Sequence, residues 1–241
     1  MPTARGVNRV VNNKTVSSGV SKKSSRGRVT PLGGPPAEPQ RGWGKMRRQD
    51  PSSVGAAEPI RGYRKISDAV SAFGYDFRGK TVLDIGSSTG GFSKYALDHG
   101  AKKVIAVEKG TNQMMKPLRF DPRIDLREKT DIFGVKLVPS PDTILADVSF
   151  ISLTKVLKYA KSNLSDSHTD FLVMLKPQFE AFPNELHNGV VKNNTIRRNI
   201  IKRFESWLKQ NGYIIINKHD NSLRGKTGNQ ERFYMLKTIA N

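Results

Sequence analysis

The 241-residue chain has no cysteine. That excludes a disulfide framework, a thiolate zinc site, an iron–sulfur cluster and any mechanism that passes through a covalent thiolate. Acid is scarce: 21 Asp+Glu stand against 41 Lys+Arg, a formal net charge of +20. A surplus of that size points to a polyanionic partner, nucleic acid ahead of an anionic membrane surface. Long apolar runs are missing too. No stretch approaches the roughly 18 residues that a spanning helix needs, and no apolar segment follows Met1 as in a secretory signal. The expectation is a basic, cytoplasmic protein without a membrane anchor.

The charge is unevenly built. Residues 1–60 carry 11 Lys/Arg and three acids, Glu38, Asp50 and Glu58, in a background of Gly, Ser, Pro and Asn. Segments such as Ser21–Arg28 and Pro31–Ala37 cannot bury enough apolar surface to offset the entropy of ordering them. Residues 1–59 are therefore predicted to be a disordered basic arm, suited to phosphate contacts or only to solvation. An import peptide is the weaker reading, because Gly and Pro interrupt any amphipathic face.

From residue 60 apolar runs alternate with helical periodicity. Ile66, Ala69, Val70 and Phe73 share a helical face, with the helix predicted over Lys65–Phe73. Buried strands are expected at Thr81–Ile85, Val104–Val107, Thr143–Ala146 and Phe171–Leu175, with a weaker one at Ile124–Arg127. Helices are expected over Phe92–His99, Gln113–Arg119, Leu153–Ser162 and Thr195–Gln210. Tyr213–Asn217 and Arg232–Leu236 have no helix between them, so they read as an antiparallel hairpin at or near one edge. The pattern is α/β: a doubly wound, mostly parallel sheet whose ligands bind beyond the carboxyl ends of its strands.

Leu83–Phe92 reads Leu-Asp-Ile-Gly-Ser-Ser-Thr-Gly-Gly-Phe, a strand, a glycine turn and a helix start. It lacks the Gly-Lys-Ser/Thr of a phosphate-binding P-loop, and Ser88 breaks a dinucleotide fingerprint. An acid in the strand, Asp84, beside glycines suits a ligand with a cationic amine and no pyrophosphate. S-adenosylmethionine (SAM) fits that description. Asp84, Gly86, Ser88, Gly90, Gly91 and Phe92 are the candidate contacts. Glu108, at the end of the next strand, is placed to accept ribose hydroxyls, and Asp131, after Thr130, to reach adenine.

Four more polar residues stand where a plain core would not want them. Lys65 is predicted to open the first helix, Asp147 and Lys176 end buried strands, and Glu231 begins the last strand. A lysine at the mouth of an apolar strand needs a partner, or desolvation favours its neutral form. A neutral lysine can accept a proton from a hydroxyl. No residue set for a bound metal is apparent.

In order along the chain, Ile60–Lys65 (Ile-Arg-Gly-Tyr-Arg-Lys), Leu83–Phe92, Asp147–Leu153 (Asp-Val-Ser-Phe-Ile-Ser-Leu), Lys176–Glu180 (Lys-Pro-Gln-Phe-Glu) and Gly228–Glu231 (Gly-Asn-Gln-Glu) resemble the TlyA (hemolysin A) branch of the FtsJ-like RNA methyltransferases. The resemblance implies a Rossmann-like, class I SAM-dependent methyltransferase domain over residues 60–241. It further implies 2′-O-methylation of ribose in ribosomal RNA through a Lys-Asp-Lys-Glu tetrad at Lys65, Asp147, Lys176 and Glu231. The expected partners are RNA and ribosomal subunits. The chain departs from the family pattern at Tyr63, Glu108 and Asp131, and it has a basic arm where that family carries an S4-type RNA-binding domain. A factor that keeps the fold and binds RNA without catalysis is the alternative. A membrane-active hemolysin would need an amphipathic or spanning segment that the sequence does not supply.

Overall fold

The computed structural model describes residues 57–239. The predicted arm lies outside them except for its last three residues, which already belong to the first helix. That helix, α1, spans Ala57–Phe73. Lys65 therefore sits in its middle and not at its start, a correction to the expectation from periodicity. Pro59, Arg61, Gly62 and Arg64 interrupt the first half, so apolar periodicity marks only the second, although Tyr63 already packs against the core.

The strands β1 (Thr81–Ile85), β2 (Lys103–Val107), β3 (Ile124–Arg127), β4 (Thr143–Ala146) and β5 (Asp170–Leu175) are parallel, and β8 (Tyr213–Asp220) and β9 (Arg232–Thr238) form an antiparallel pair, with β9 running against β5. The seven-stranded order is β3-β2-β1-β4-β5-β9-β8. The expected hairpin is present, with its second strand inserted beside β5 and its first at the edge. Its strands run longer than predicted because β8 continues through the polar Lys218, His219 and Asp220, and β9 through Lys237 and Thr238, where no apolar run marks the strand.

Alternation along the central strands supplies both faces of the core. Leu83, Ile85, Ile144, Ala146, Phe171, Val173 and Leu175 face α4 (Leu153–Asn163) and α6 (Asn194–Gln210). Val82, Val104, Ala106, Leu145, Leu172 and Met174 face α1 and α2 (Gly91–Asp98). Between the larger elements lie two short helices, α3 (Lys116–Arg119) and α5 (Pro177–Glu180). The polar stretch after α5 forms a small hairpin, β6 (Leu186–His187) with β7 (Val190–Val191). Its turn residues Asn188 and Gly189 both have positive φ, the conformation that Asn-Gly favours in two-residue hairpins.

α1 reaches the sheet edge through one close contact. A Cβ on Gly91 would lie 2.8 Å from the Tyr63 nitrogen and 2.9 Å from Gly62 Cα, whereas a Cβ on Gly62 would meet Gly91 Cα at 3.4 Å. Backbone packs on backbone here, one turn ahead of Lys65. Gly91→Ala is expected to cost about 1–3 kcal/mol through overpacking. Gly62→Ala is expected to be neutral or stabilising by up to about 1 kcal/mol, because alanine favours the helix. Urea unfolding of both variants checks this, and equal costs would remove the close approach as a constraint.

Candidate active site

The carboxyl edge of the sheet presents its chemistry in a row. Glu108 follows β2, Gly86 follows β1, Asp147 follows β4 and Lys176 follows β5. Leu175 pairs with Arg232 across the antiparallel ladder, so Glu231 stands opposite Lys176 just beyond it. Asp147 donates its N–H to the Ile85 carbonyl at 3.2 Å. A Cβ on Gly86 would lie 3.1 Å from the Asp147 carbonyl oxygen. The turn expected to hold a cofactor thus touches the strand end that carries a candidate catalytic acid. The glycine turn needs its glycines: Gly86 and Gly90 have φ of 80° and 88°.

Asp84 is fully buried, and its Oδ2 accepts from Ser93 Oγ at 2.6 Å. Its Oδ1 has no hydrogen-bond partner among the described residues. Burial pushes this carboxyl up to about 7; the Ser93 bond opposes that, while the charges of Asp147 and Glu108 add to it. An unpartnered buried oxygen with a raised pKa, two residues before a glycine turn, is a setting that a cationic amine relieves. The residues present therefore fit SAM. Glu108 occupies the strand-end position expected of it, where it accepts from Ser88 N–H at 3.0 Å, Gly110 N–H at 2.6 Å and Gln113 Nε2 at 3.2 Å. Asp131 caps the 3₁₀ turn Ile132–Gly134 and pairs with Lys109 at 2.9 Å, and its carboxyl is held below the usual range, first by Lys109. Phe92 departs from expectation: its ring is buried 5.8 Å from that of Phe233, so its side chain serves the core and only its backbone belongs to the turn.

The four polar residues resolve into two ion pairs. Lys176 Nζ lies 2.6 Å from Asp147 Oδ1 and donates to Ser149 Oγ at 2.7 Å. Lys65 Nζ lies 2.5 Å from Glu231 Oε2, with side chains only 8% and 3% exposed. Gly225 cradles Glu231, since a Cβ there would lie 2.9 Å from its Oε1. Each lysine is matched by one carboxylate, as buried charges require.

Several residues at this edge escape a reading of the sequence. Phe150 has φ of 65°, rare for a bulky residue, and holds its ring 55% exposed and 5.3 Å from that of Phe179. Glu180 accepts from Ser152 Oγ at 2.7 Å and from Leu153 N–H at 2.6 Å, which closes the start of α4 and ties Asp147–Leu153 to Lys176–Glu180. Burial, opposed by those two bonds, pushes its carboxyl up to about 7. Asn229 bridges to the small hairpin through Val191 N–H and the Gly189 carbonyl. Phe150, Glu180 and Asn229 lie inside motifs already quoted, but only the fold shows what they touch.

The sequence profile of the FtsJ-like methyltransferases matches residues 60–238. The chain belongs to the FtsJ-like methyltransferase family. It is 36% identical over 172 residues to the 23S rRNA (cytidine-2′-O)-methyltransferase TlyA of Campylobacter jejuni, covering 70% of this chain and 67% of that protein. A solved structure from Lactococcus lactis, provisionally named a hemolysin, superposes with a TM-score of 0.71 at 31% identity, over 75% of this chain and 88% of that one. At 13% identity a SAM-dependent methyltransferase from Mesorhizobium loti shares the fold alone, with a TM-score of 0.52 over 70% of this chain and 95% of that one. Among the described residues no helix is long and apolar enough to cross a membrane.

The buried acids make a pH signature. Asp84 and Glu180 have folded-state pKa values above their ordinary 3.8 and 4.5. Between about pH 4 and 7 the folded protein keeps protons that the unfolded chain releases, so these groups make stability fall as pH rises through that window. Asp84→Asn is expected to flatten the slope and to weaken SAM binding by about tenfold or more, the loss of one charged hydrogen bond. Unfolding from pH 4 to 8 and calorimetric titration with SAM check the two halves. An unchanged slope would deny Asp84 its raised pKa.

Proposed function

We propose that the chain is a SAM-dependent RNA methyltransferase that modifies ribose 2′-hydroxyls of ribosomal RNA. The supporting observation is the pair of lysine–carboxylate contacts, Lys176–Asp147 and Lys65–Glu231, at the sheet edge next to the glycine turn. Thiolate-dependent base methylation is closed to a chain without cysteine.

In this reading Asp84 and the backbone of Gly86–Gly91 receive the methionine portion of SAM. Glu108 accepts the cofactor ribose hydroxyls, with Gln113 giving way, and Asp131 lies toward adenine. When bound, SAM supplies an already activated methyl group, so alignment does much of the catalysis. Methyl transfer from bound SAM to the substrate oxygen would release the sulfur as a thioether and leave the hydroxyl proton for this chain to take up. Lys176 Nζ is the group placed to take up or steer the hydroxyl proton, and Asp147 at 2.6 Å stabilises its ammonium form. Ser149 Oγ fixes the lysine's direction. Glu231 holds Lys65 in place, and that ammonium sets a positive field beside the reacting oxygen. Phe150, exposed three residues beyond Asp147, offers a ring on which the base of the target nucleotide stacks. The basic arm adds phosphate contacts.

Labelled SAM incubated with separated ribosomal subunits tests the reading, followed by mapping of 2′-O-methyl positions. Label on protein or on base atoms would overturn it. Lys176→Ala is expected to lower methyl transfer at least about a hundredfold, the usual worth of a general base, with SAM affinity retained. Near-normal turnover would remove Lys176 from that role. Phe150→Ala is expected to raise KM for RNA about tenfold, since one base–aromatic stack is worth about 1–3 kcal/mol. An unchanged KM would leave the ring without a substrate contact.

A further inference from the structure

Beyond the tetrad, on the β9–β8 side of the sheet, two cavities of about 540 and about 210 Å³ adjoin. Asn194, Arg197, Arg224 and Gln230 line both, so together they make one cleft. Its inner end reaches Pro177, next to Lys176, and Gln230, next to Glu231. Its outer end passes Arg198 and Asp220.

The cleft is strongly basic. Lys192, Arg197, Arg198 and Arg224 line it against one acid, Asp220. That acid is already committed: Arg197 bonds it at 2.5 Å and Arg232 at 2.7 Å. Burial raises the Asp220 carboxyl, but the bonds from Arg232 and Arg197 overcome this and hold it at about 2. Arg197 also donates to the Gln230 carbonyl at 3.1 Å and is fixed in the wall. Arg198 donates to Thr195 Oγ1 at 3.3 Å and Arg224 to the Gly228 carbonyl at 3.4 Å, and neither has a carboxylate partner among the described residues. The first turn of α6, at Asn194, adds the partial positive charge of a 17-residue helix. Sequence alone leaves Arg197 and Arg198 as the solvated face of a long helix and Arg224 as a phosphate contact near the reacting centre; the structure sets all three around one cavity.

We propose that this cleft holds the phosphodiester backbone of the RNA strand on one side of the target nucleotide. Arg198 and Arg224 are the phosphate ligands, and Arg197 is a positioning residue that keeps the wall in shape. The inference rests on the reading of the substrate as RNA. Planar guanidinium groups match phosphate oxygens in pairs, which a point charge does not. A cleft whose lining runs up to the chain neighbours of Lys176 and Glu231 fits a polymer better than a free anion.

The test compares wild type with an Arg198→Ala/Arg224→Ala double variant, both as full chain. Binding of a labelled single-stranded RNA is measured against salt, and methyl transfer against ribosomal subunit concentration. The slope of log affinity on log salt is expected to fall by about 1.4, about 0.7 for each phosphate left unneutralised. KM for subunits is expected to rise about tenfold or more, with SAM affinity and thermal midpoint unchanged. The Arg198→Lys/Arg224→Lys variant is expected to restore the salt slope, because the charge returns. An unchanged slope and KM in the alanine variant would overturn the proposal, as would a loss confined to kcat. If wild type itself methylates no RNA, the proposed function fails, while the salt slope still judges the cleft separately.

Discussion

Lys65 and Glu231 are both more than nine-tenths buried, and neither charge is tolerable there without the other. Removing one partner of such a pair costs about 3–5 kcal/mol, because the survivor stays desolvated. Much of the architecture serves to bring them together. Gly62 and Gly91 let α1 press onto the start of α2, which delivers Lys65 to the sheet edge. The reversal of β9 carries Glu231 to the same edge, opposite Lys176. Gly225 leaves room for the carboxylate. A parallel final strand would have put Glu231 at the opposite edge of the sheet, out of reach of both lysines.

The same edge solves a second electrostatic problem by separation. Acids that suit a cationic cofactor, Asp84 and Glu108, lie on the β1–β2 side. Cations that suit a phosphate polymer, Arg197, Arg198 and Arg224, lie on the β9–β8 side. Asp147 and Lys176 stand between, one of each sign, bonded to each other. The point where strand order reverses, between β1 and β4, falls inside this row, where open α/β sheets place their ligands.

Much of this is legible in the sequence, and the limits have physical causes. The central strands can be read because both faces are buried, so their apolar runs are continuous and end where a polar residue begins. Asp147 and Lys176 stand out for that reason. The start of α1 cannot be read, since Pro59, Gly62 and the arginines of its first turns interrupt the apolar period. The β6–β7 hairpin escapes because two-residue strands have no period, although Asn188-Gly189 marks the turn. Partner choice is the larger gap. Nothing local says that Lys176 takes Asp147 while Lys65 takes Glu231; that follows from β-pairing between distant segments. Phe92 misleads because a residue beside a glycine turn can face the ligand or the core, and only packing decides.

The Glu180 contacts carry a consequence for how such a domain can be recombined. One carboxylate, supplied by the segment after β5, completes both the cap and the first amide of the helix that follows Asp147. The loops bearing Asp147 and Lys176 are therefore one mechanical part encoded in two places. A chimera that took one loop from a distant relative and kept the other would inherit a buried carboxylate without its donors, or a helix start without its acceptor. Grafts at this edge should exchange both segments together.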